Sequence, residues 1–190
     1  MALSERFDQA LQYANALHRT QLRKTTSVPY VSHVLAVASL VLEHGGDEDE
    51  AIAALLHDAV EDQGGLPTLE QIRLRFGDRV AEIVKGCTDA WTTPKPPWLE
   101  RKRAYLEHLG TAPASVRLVA AADKLHNARS VLADYLEIGE ALWPRFSSGR
   151  DHQLWYYRAL ADTFSRVGPV ALARSLERVV SELEQRVPRT

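Results

Sequence analysis

The sequence predicts an all-α protein, a compact single-domain helical bundle. Three observations carry this expectation. Apolar residues recur at three- and four-residue spacing through almost every segment. No run of alternating β-branched residues reads as a strand. At 190 residues, the chain is long enough for one sizeable core and too short for several full domains.

The elements follow in order. A first helix begins near Ser4, carries Phe7, Leu11, Ala14, Leu17 and His18 along one stripe, and stops before the polar stretch from Thr20 to Pro29. A second starts at about Tyr30, turns Val34, Val37, Ala38, Val41 and Leu42 inward, and ends at Gly45-Gly46, where glycine suits a left-handed C-cap. Acidic residues from Asp47 to Glu50 open a third helix, which is expected to run to about Asp62 before Gly64-Gly65 breaks it. Thr68 and Gln71 read as a capping box for a short helix closing at Phe76-Gly77, and Asp78 as the cap of another reaching about Thr88.

Three prolines between Asp89 and Pro97 mark an irregular loop ahead of a basic helix with Arg101, Lys102 and Arg103. From Pro113 or Ser115 a long helix presents Val116, Val119, Ala120 and Leu125 on a broadly apolar surface, the pattern of a buried central element. The pattern breaks around Gly139 to Gly149. Two helices, about 150–167 and 169–186, finish the chain, and no repeat, low-complexity tract or interdomain linker is visible.

Composition narrows the function classes. A formal net charge of -2 supplies no global attraction to a nucleic acid polymer or an anionic membrane, so an anionic ligand needs a local basic patch. No apolar run approaches the ~20 residues of a membrane span, and the N-terminus lacks the form of a signal peptide. The expected compartment is the cytoplasm. The single cysteine, Cys87, can form no internal disulfide and no thiolate metal site, so any metal would be bound by histidine and carboxylate.

Two stretches break the apolar pattern. In Leu55-Leu56-His57-Asp58-Ala59-Val60-Glu61-Asp62, an apolar run meets a histidine and three carboxylates, and on a helix those side chains crowd into little more than one turn. Like charges at that spacing repel, and partial burial adds a desolvation cost, so a metal ion, a basic partner or shared protons should offset them. In Ala121-Ala122-Asp123-Lys124, an acid is set among alanines, with Lys124 expected to point away from it. Asp123 needs a partner, and the histidine-acid pair is the obvious one. His33, in the first turn of the second helix, would complete a set of His33, His57, Asp58 and Asp123. Two imidazoles and two carboxylates suit a first-row divalent ion, Mn²⁺, Fe²⁺ or Zn²⁺, better than calcium. Taken singly, His33 also reads as a helix-start histidine, and Asp123 as the partner of an arginine.

The joint pattern resembles the HD superfamily of metal-dependent phosphohydrolases. Within that superfamily it is most similar to small alarmone hydrolases and the hydrolase domain of Rel/SpoT proteins. Arg23-Lys24, Pro29-Tyr30-Val31-Ser32-His33, His57-Asp58 with Glu61-Asp62, Phe76-Gly77, Thr88-Asp89 and Ala122-Asp123-Lys124-Leu125-His126-Asn127 occur in that family's order, over roughly residues 10 to 135. The resemblance implies that His33, His57, Asp58 and Asp123 bind a manganese-type ion and that Glu61 and Asp62 are the catalytic acids working on water. It also implies that Arg23, Lys24, Asn127 and Ser130 hold the nucleotide.

The implied reaction is hydrolysis of the 3′-pyrophosphate of guanosine tetra- or pentaphosphate to GDP or GTP plus pyrophosphate. Alternatives are an adenosine alarmone, the 2′-phosphate of NADPH or another nucleotide phosphate, or a catalytically silent nucleotide-binding regulator. Lys95, Arg101, Lys102 and Arg103 resemble the family's basic segment and could meet the pyrophosphates, or simply form a solvated face. Trp91 and Trp98 could line the pocket or pin the proline loop to the core. His18 reads as a packed, hydrogen-bonded histidine, and His108 and His152 have no metal-like context.

The chain departs from the family pattern in two places near the site: Val34 stands where the family has proline, and Gln63-Gly64-Gly65 where it often has a threonine-rich turn. Residues after about Gly139 match no family motif. They are expected to complete the core, cover the pocket or form the surface of a homo-oligomer. The synthetase and regulatory regions of long Rel/SpoT proteins are not found in this sequence.

Overall fold

The computed structural model describes residues 2–24, 26–90 and 94–188. Among them the regular elements are all helical. The first five helices are α1 (Glu5–Leu17), α2 (Val31–Glu43), α3 (Glu48–Leu56), α4 (Ala59–Asp62) and α5 (Leu66–Phe76). They are followed by α6 (Asp78–Cys87), α7 (Trp98–Thr111), α8 (Ala114–Ile138), α9 (Gly149–Val167) and α10 (Val170–Arg186).

Local chemistry explains the best-defined starts. Ser4 accepts from the Arg6 amide to cap α1. A capping box opens α3, in which Asp47 accepts from the Glu50 amide at 3.0 Å and the Glu50 carboxylate accepts from the Asp47 amide at 2.8 Å. Helix α2 ends as its glycines predict, with Gly45 at φ 81° and the Gly46 amide donating back to the Val41 carbonyl.

The long helix α8 is the axis of the fold, packing against α2, α3, α6, α9 and α10. Val119, Ala121, Ala122, Leu125 and Ala128 on it are fully buried. Helix α3 is the other core element, with every residue from Ala51 to Leu56 buried. One hydrophobic cluster runs from Ala10 on α1 to Val187 after α10, so the C-terminal helices complete the core. None of the described helices is long and apolar enough to cross a membrane.

Four boundaries differ from the sequence expectation. The helix expected to run unbroken to Asp62 stops at Leu56 and restarts at Ala59. There the His57 Nδ1–H donates to the Ala54 carbonyl at 2.8 Å, and Asp58 sits at ψ -2° as the N-cap of α4. Neighbouring residues of an unbroken helix point about 100° apart. At the break the two side chains turn toward the same cavity, with His57 Nε2 3.1 Å from Asp58 Oδ2. Helix α5 begins at Leu66, two residues before the expected capping box; the Thr68 hydroxyl instead donates to the Gln63 carbonyl at 2.7 Å and is unavailable as a cap. Asp78 is the first residue of α6 and makes no cap bond, because its carboxylate takes Arg73 at 2.6 Å. The stretch after Gly139 is a 3₁₀ helix, Gly139–Arg145, rather than a simple break.

Candidate metal and nucleotide site

Four elements bring the sequence anomalies together. His33 comes from the first turn of α2, His57 and Asp58 from the break between α3 and α4, and Asp123 from the middle of α8. His33 Nε2 lies 3.2 Å from Asp123 Oδ1 and 3.6 Å from Asp58 Oδ2. His57 Nε2 lies 3.1 Å from Asp58 Oδ2 and 3.6 Å from Asp123 Oδ1. The donor atoms of His33, His57 and Asp58 all fall within 4.8 Å of one another, and Asp123 closes the group from α8. Both imidazoles are almost completely buried.

These residues fit a divalent cation by their own hydrogen-bond state. The Nε2 atoms of His33 and His57 are buried without a hydrogen-bond partner, a costly arrangement unless something else engages them. The Nδ1–H of His57 is spent on the Ala54 carbonyl, so Nε2 is the nitrogen that faces the carboxylates and would ligate a metal on losing its proton. Burial works against both carboxylates, yet the facing imidazoles hold Asp58 well below its ordinary range. Lys124 and the same imidazoles do this for Asp123. Burial likewise disfavours a charged His57, but Asp58 and Asp123 pull it well above its usual value. The cavity is therefore electrostatically prepared for positive charge.

Lys124 does not point away from Asp123. Its flexible stem folds back so that Nζ donates to Asp123 Oδ2 at 2.6 Å and stands over the Tyr105 ring at 5.3 Å. A long, flexible side chain can reach back to its sequence neighbour when partial burial favours an ion pair over hydration. Two further residues were not found by sequence reasoning. The Tyr30 hydroxyl donates to Asp58, and burial and the Asp58 charge push this phenol far up, so it stays protonated. His126 Nδ1 lies 2.8 Å from His33 Nδ1. Both residues sit inside motif stretches already quoted, so the motifs were the available signal.

Glu61 and Asp62, on α4, line a pocket of about 410 Å³ that also contains Asp58 and Asp123. Glu61 pairs with Lys95 at 2.5 Å, and Asp62 accepts from Gln21 Nε2 at 2.7 Å. Burial raises Glu61 above the usual carboxylate range, Asp89 adds to the effect, and Lys95 opposes it. Partial desolvation in the pocket and the Asp58 charge raise Asp62, which remains exposed to solvent, against the Gln21 hydrogen bond. A carboxyl shifted upward holds its proton more readily than an ordinary one, which suits it to taking up a proton during the reaction.

The expected nucleotide-binding residues line the same pocket. Arg23 donates to Asn127 Oδ1 at 3.1 Å and to Ser130 Oγ at 3.3 Å, and Asn127 Nδ2 donates onward to Asp123 Oδ1 at 2.5 Å. A short antiparallel bridge between Leu22 and Pro29 shapes the turn carrying Arg23 and Lys24, and both residues line the pocket.

Of the basic segment, Lys95 meets Glu61, while Arg101 and Lys102 both bind Asp89, whose side chain is only 6% exposed. Lys102 also lines the pocket, whereas Arg103 is exposed. Trp98 both lines the pocket and packs against Trp155 and Tyr156; Trp91 lies outside the described residues. His18 is buried and bonded to Gln21. His108 and His152 each contact a backbone carbonyl away from the cluster. The C-terminal part contributes Leu142, Arg145, Phe146, Tyr156 and Tyr157 to the pocket wall, a role no motif announced.

Comparison with known proteins gives a consistent picture. The HD domain family profile matches residues 10–138. The chain is 42% identical over 126 residues to the Xenopus tropicalis protein named guanosine-3′,5′-bis(diphosphate) 3′-pyrophosphohydrolase MESH1, an alignment covering 65% of this chain and 68% of that one. The Homo sapiens protein of the same name is 39% identical with the same coverage. A probable GTP pyrophosphokinase of Mycobacterium leprae is 38% identical over 64% of this chain and 15% of its own length. Among solved structures, a metazoan orthologue of SpoT described as hydrolysing ppGpp superposes with a TM-score of 0.79 at 28% identity, over 96% of this chain and 98% of that one. A Listeria monocytogenes EGD-e protein superposes at 0.70 and 31% identity, over 80% and 99% of the two chains.

Proposed function

The chain belongs to the HD-domain family, and from that premise we propose that it is a metal-dependent phosphohydrolase removing the 3′-pyrophosphate of guanosine tetra- and pentaphosphate. The observation that carries this reading is the pair of buried, unpartnered Nε2 atoms of His33 and His57 converging on Asp58 and Asp123, beside a carboxyl pair raised above its ordinary range. His33, His57, Asp58 and Asp123 hold the ion, and Mn²⁺ suits their mixed imidazole and carboxylate donors. When bound, such an ion supplies Lewis-acid charge to the phosphoryl oxygens and makes nearby water more acidic.

The protein's own groups do the rest. Glu61 accepts the proton of the attacking water, and Asp62 orients that water. Water adds to the phosphorus on the 3′ oxygen, the bond from that phosphorus to the 3′ oxygen breaks, and the 3′ oxygen leaves with a proton. The products are GDP or GTP and pyrophosphate. Arg23 and Lys24 grip the nucleotide, with Arg23 braced by Asn127 and Ser130; a planar guanidinium can stack on a base or fork onto phosphate. His126, pushed down to about 4 by burial together with His33 and Arg23, stays neutral and adds no positive charge beside His33.

The deciding experiment loads the metal-free protein with Mn²⁺, verifies the bound ion, and offers a panel of guanosine and adenosine 3′-pyrophosphates together with NADPH. Release of pyrophosphate from the guanosine compounds is expected. With the ion bound, failure to turn over any 3′-pyrophosphorylated nucleotide overturns the reading.

A further inference from the structure

The polar turn ahead of α2 carries a side chain with both ends committed. Gln21 Nε2 donates to Asp62 Oδ2 at 2.7 Å. Its Oε1 accepts from Gln63 Nε2 at 2.6 Å and lies 2.7 Å from His18 Nδ1. An amide oxygen can only accept, so His18 must carry its proton on Nδ1 and donate it here. These neighbours assign one orientation to the Gln21 amide. Flipping it would set its NH₂ group against two donors and its oxygen against a carboxylate.

The support is anchored in the core on one side and at a helix end on the other. His18 is 1% exposed and caps the end of α1. Gln63 follows directly on α4, the helix that carries Asp62. The backbone of Gln21 adds a second tie, because its carbonyl accepts from the Tyr30 amide at 2.9 Å and the Tyr30 hydroxyl donates to Asp58. Glu61 is held differently, by the side chain of Lys95, which is 43% exposed.

We propose that Gln21 is a positioning residue of the hydrolytic site: its amide, aimed by His18 and Gln63, fixes Asp62 through Oδ2 and leaves Oδ1 as the oxygen without this donor. Gln21 acts through Asp62, so the proposal rests on the reading of Asp62 as one of the two working acids. A fixed carboxylate orients water in one direction. A carboxylate free to rotate loses that alignment, and small misplacements of a working group cost large rate factors.

Gln21→Glu retains an oxygen acceptor for His18 and Gln63 and turns a carboxylate oxygen toward Asp62 in place of the donor, adding a like charge, so the uncharged Gln21→Met is read beside it. In the Mn²⁺-loaded enzyme, with guanosine 3′,5′-bis(diphosphate) as substrate, kcat should fall at least about tenfold while KM stays within about twofold. Mn²⁺ affinity by calorimetry and the melting temperature should stay near parental values. Gln21→Met, which has similar length and no polar end, should reproduce the loss in kcat. In an Asp62→Asn background, either change should cost less than about twofold, since the residue it acts through has already been disabled. Parental kcat in both Gln21 variants, or an equal loss in both backgrounds, overturns the proposal and leaves the acidic-pair reading standing. Parental activity of Asp62→Asn alone overturns that reading, and the proposal with it.

Discussion

His33 and His126 face each other Nδ1 to Nδ1 at 2.8 Å, and only one of those nitrogens can carry the shared proton. Arg23 Nη1, which can only donate, lies 3.4 Å from the same His126 nitrogen. His126 is therefore the acceptor and His33 the donor, so the free lone pair of His33 sits on Nε2, beside Asp123. One neutral imidazole thus sets the tautomer of another on a different helix.

His126→Ala should weaken Mn²⁺ binding by about 10- to 100-fold while leaving all four proposed ligands in place. Calorimetric titration of the metal-free protein reads this directly. Affinity within twofold of the parent would show that His33 needs no such support.

His57→Ala and Asp58→Ala should each abolish bound metal and turnover together. Glu61→Gln should keep the metal and lose about 10²- to 10⁴-fold in kcat, the usual contribution of a positioned acid or base. Metal content by elemental analysis, measured beside activity, separates the two groups. Full activity in Glu61→Gln would remove Glu61 from its proposed role.

The pH profile follows from the upward shift of Glu61. Burial and Asp89 raise its carboxyl above the ordinary value of 4.5, so as pH falls it takes up its proton earlier than an exposed glutamate would. The acidic limb of kcat/KM should accordingly lie above that value. Lys95 opposes the rise, so Lys95→Met should move the limb to still higher pH. A profile unchanged by Lys95→Met would mean that the Lys95–Glu61 pair does not persist during turnover.

Away from the site, Gly86 marks a close approach of α6 to α8. A Cβ there would come within 2.6 Å of Val116 Cγ2 and 2.9 Å of its Cγ1. Gly86→Ala should destabilise the fold by about 1–3 kcal/mol, the usual cost of overpacking. Chemical denaturation measures this, and adding Val116→Ala should restore part of the loss. A neutral Gly86→Ala would mean that α6 and α8 can separate slightly at no cost.

Residue spacing located most of the helices and pointed to the chemistry. Helical periodicity is a local property, repeated every turn, so α1, α2, α8 and α10 could be located from residue spacing alone. His57-Asp58 and Asp123 were conspicuous because charge in an apolar stretch is costly wherever the chain folds, and that cost is visible without knowing what offsets it.

Tertiary structure decided how the cost is met. Asp123 is engaged by Lys124 next to it and by His33, ninety residues away on another helix, and sequence spacing specifies neither contact. The break at His57 depends on where the two side chains must point, so a periodic pattern read straight through it. Gln21, Tyr30 and His126 are ordinary polar residues in a linear reading. They matter because packing α1, α2, α4 and α8 around one cavity brings their donors and acceptors within 3 Å of Asp62, Asp58 and His33, and only the packed chain sets those distances.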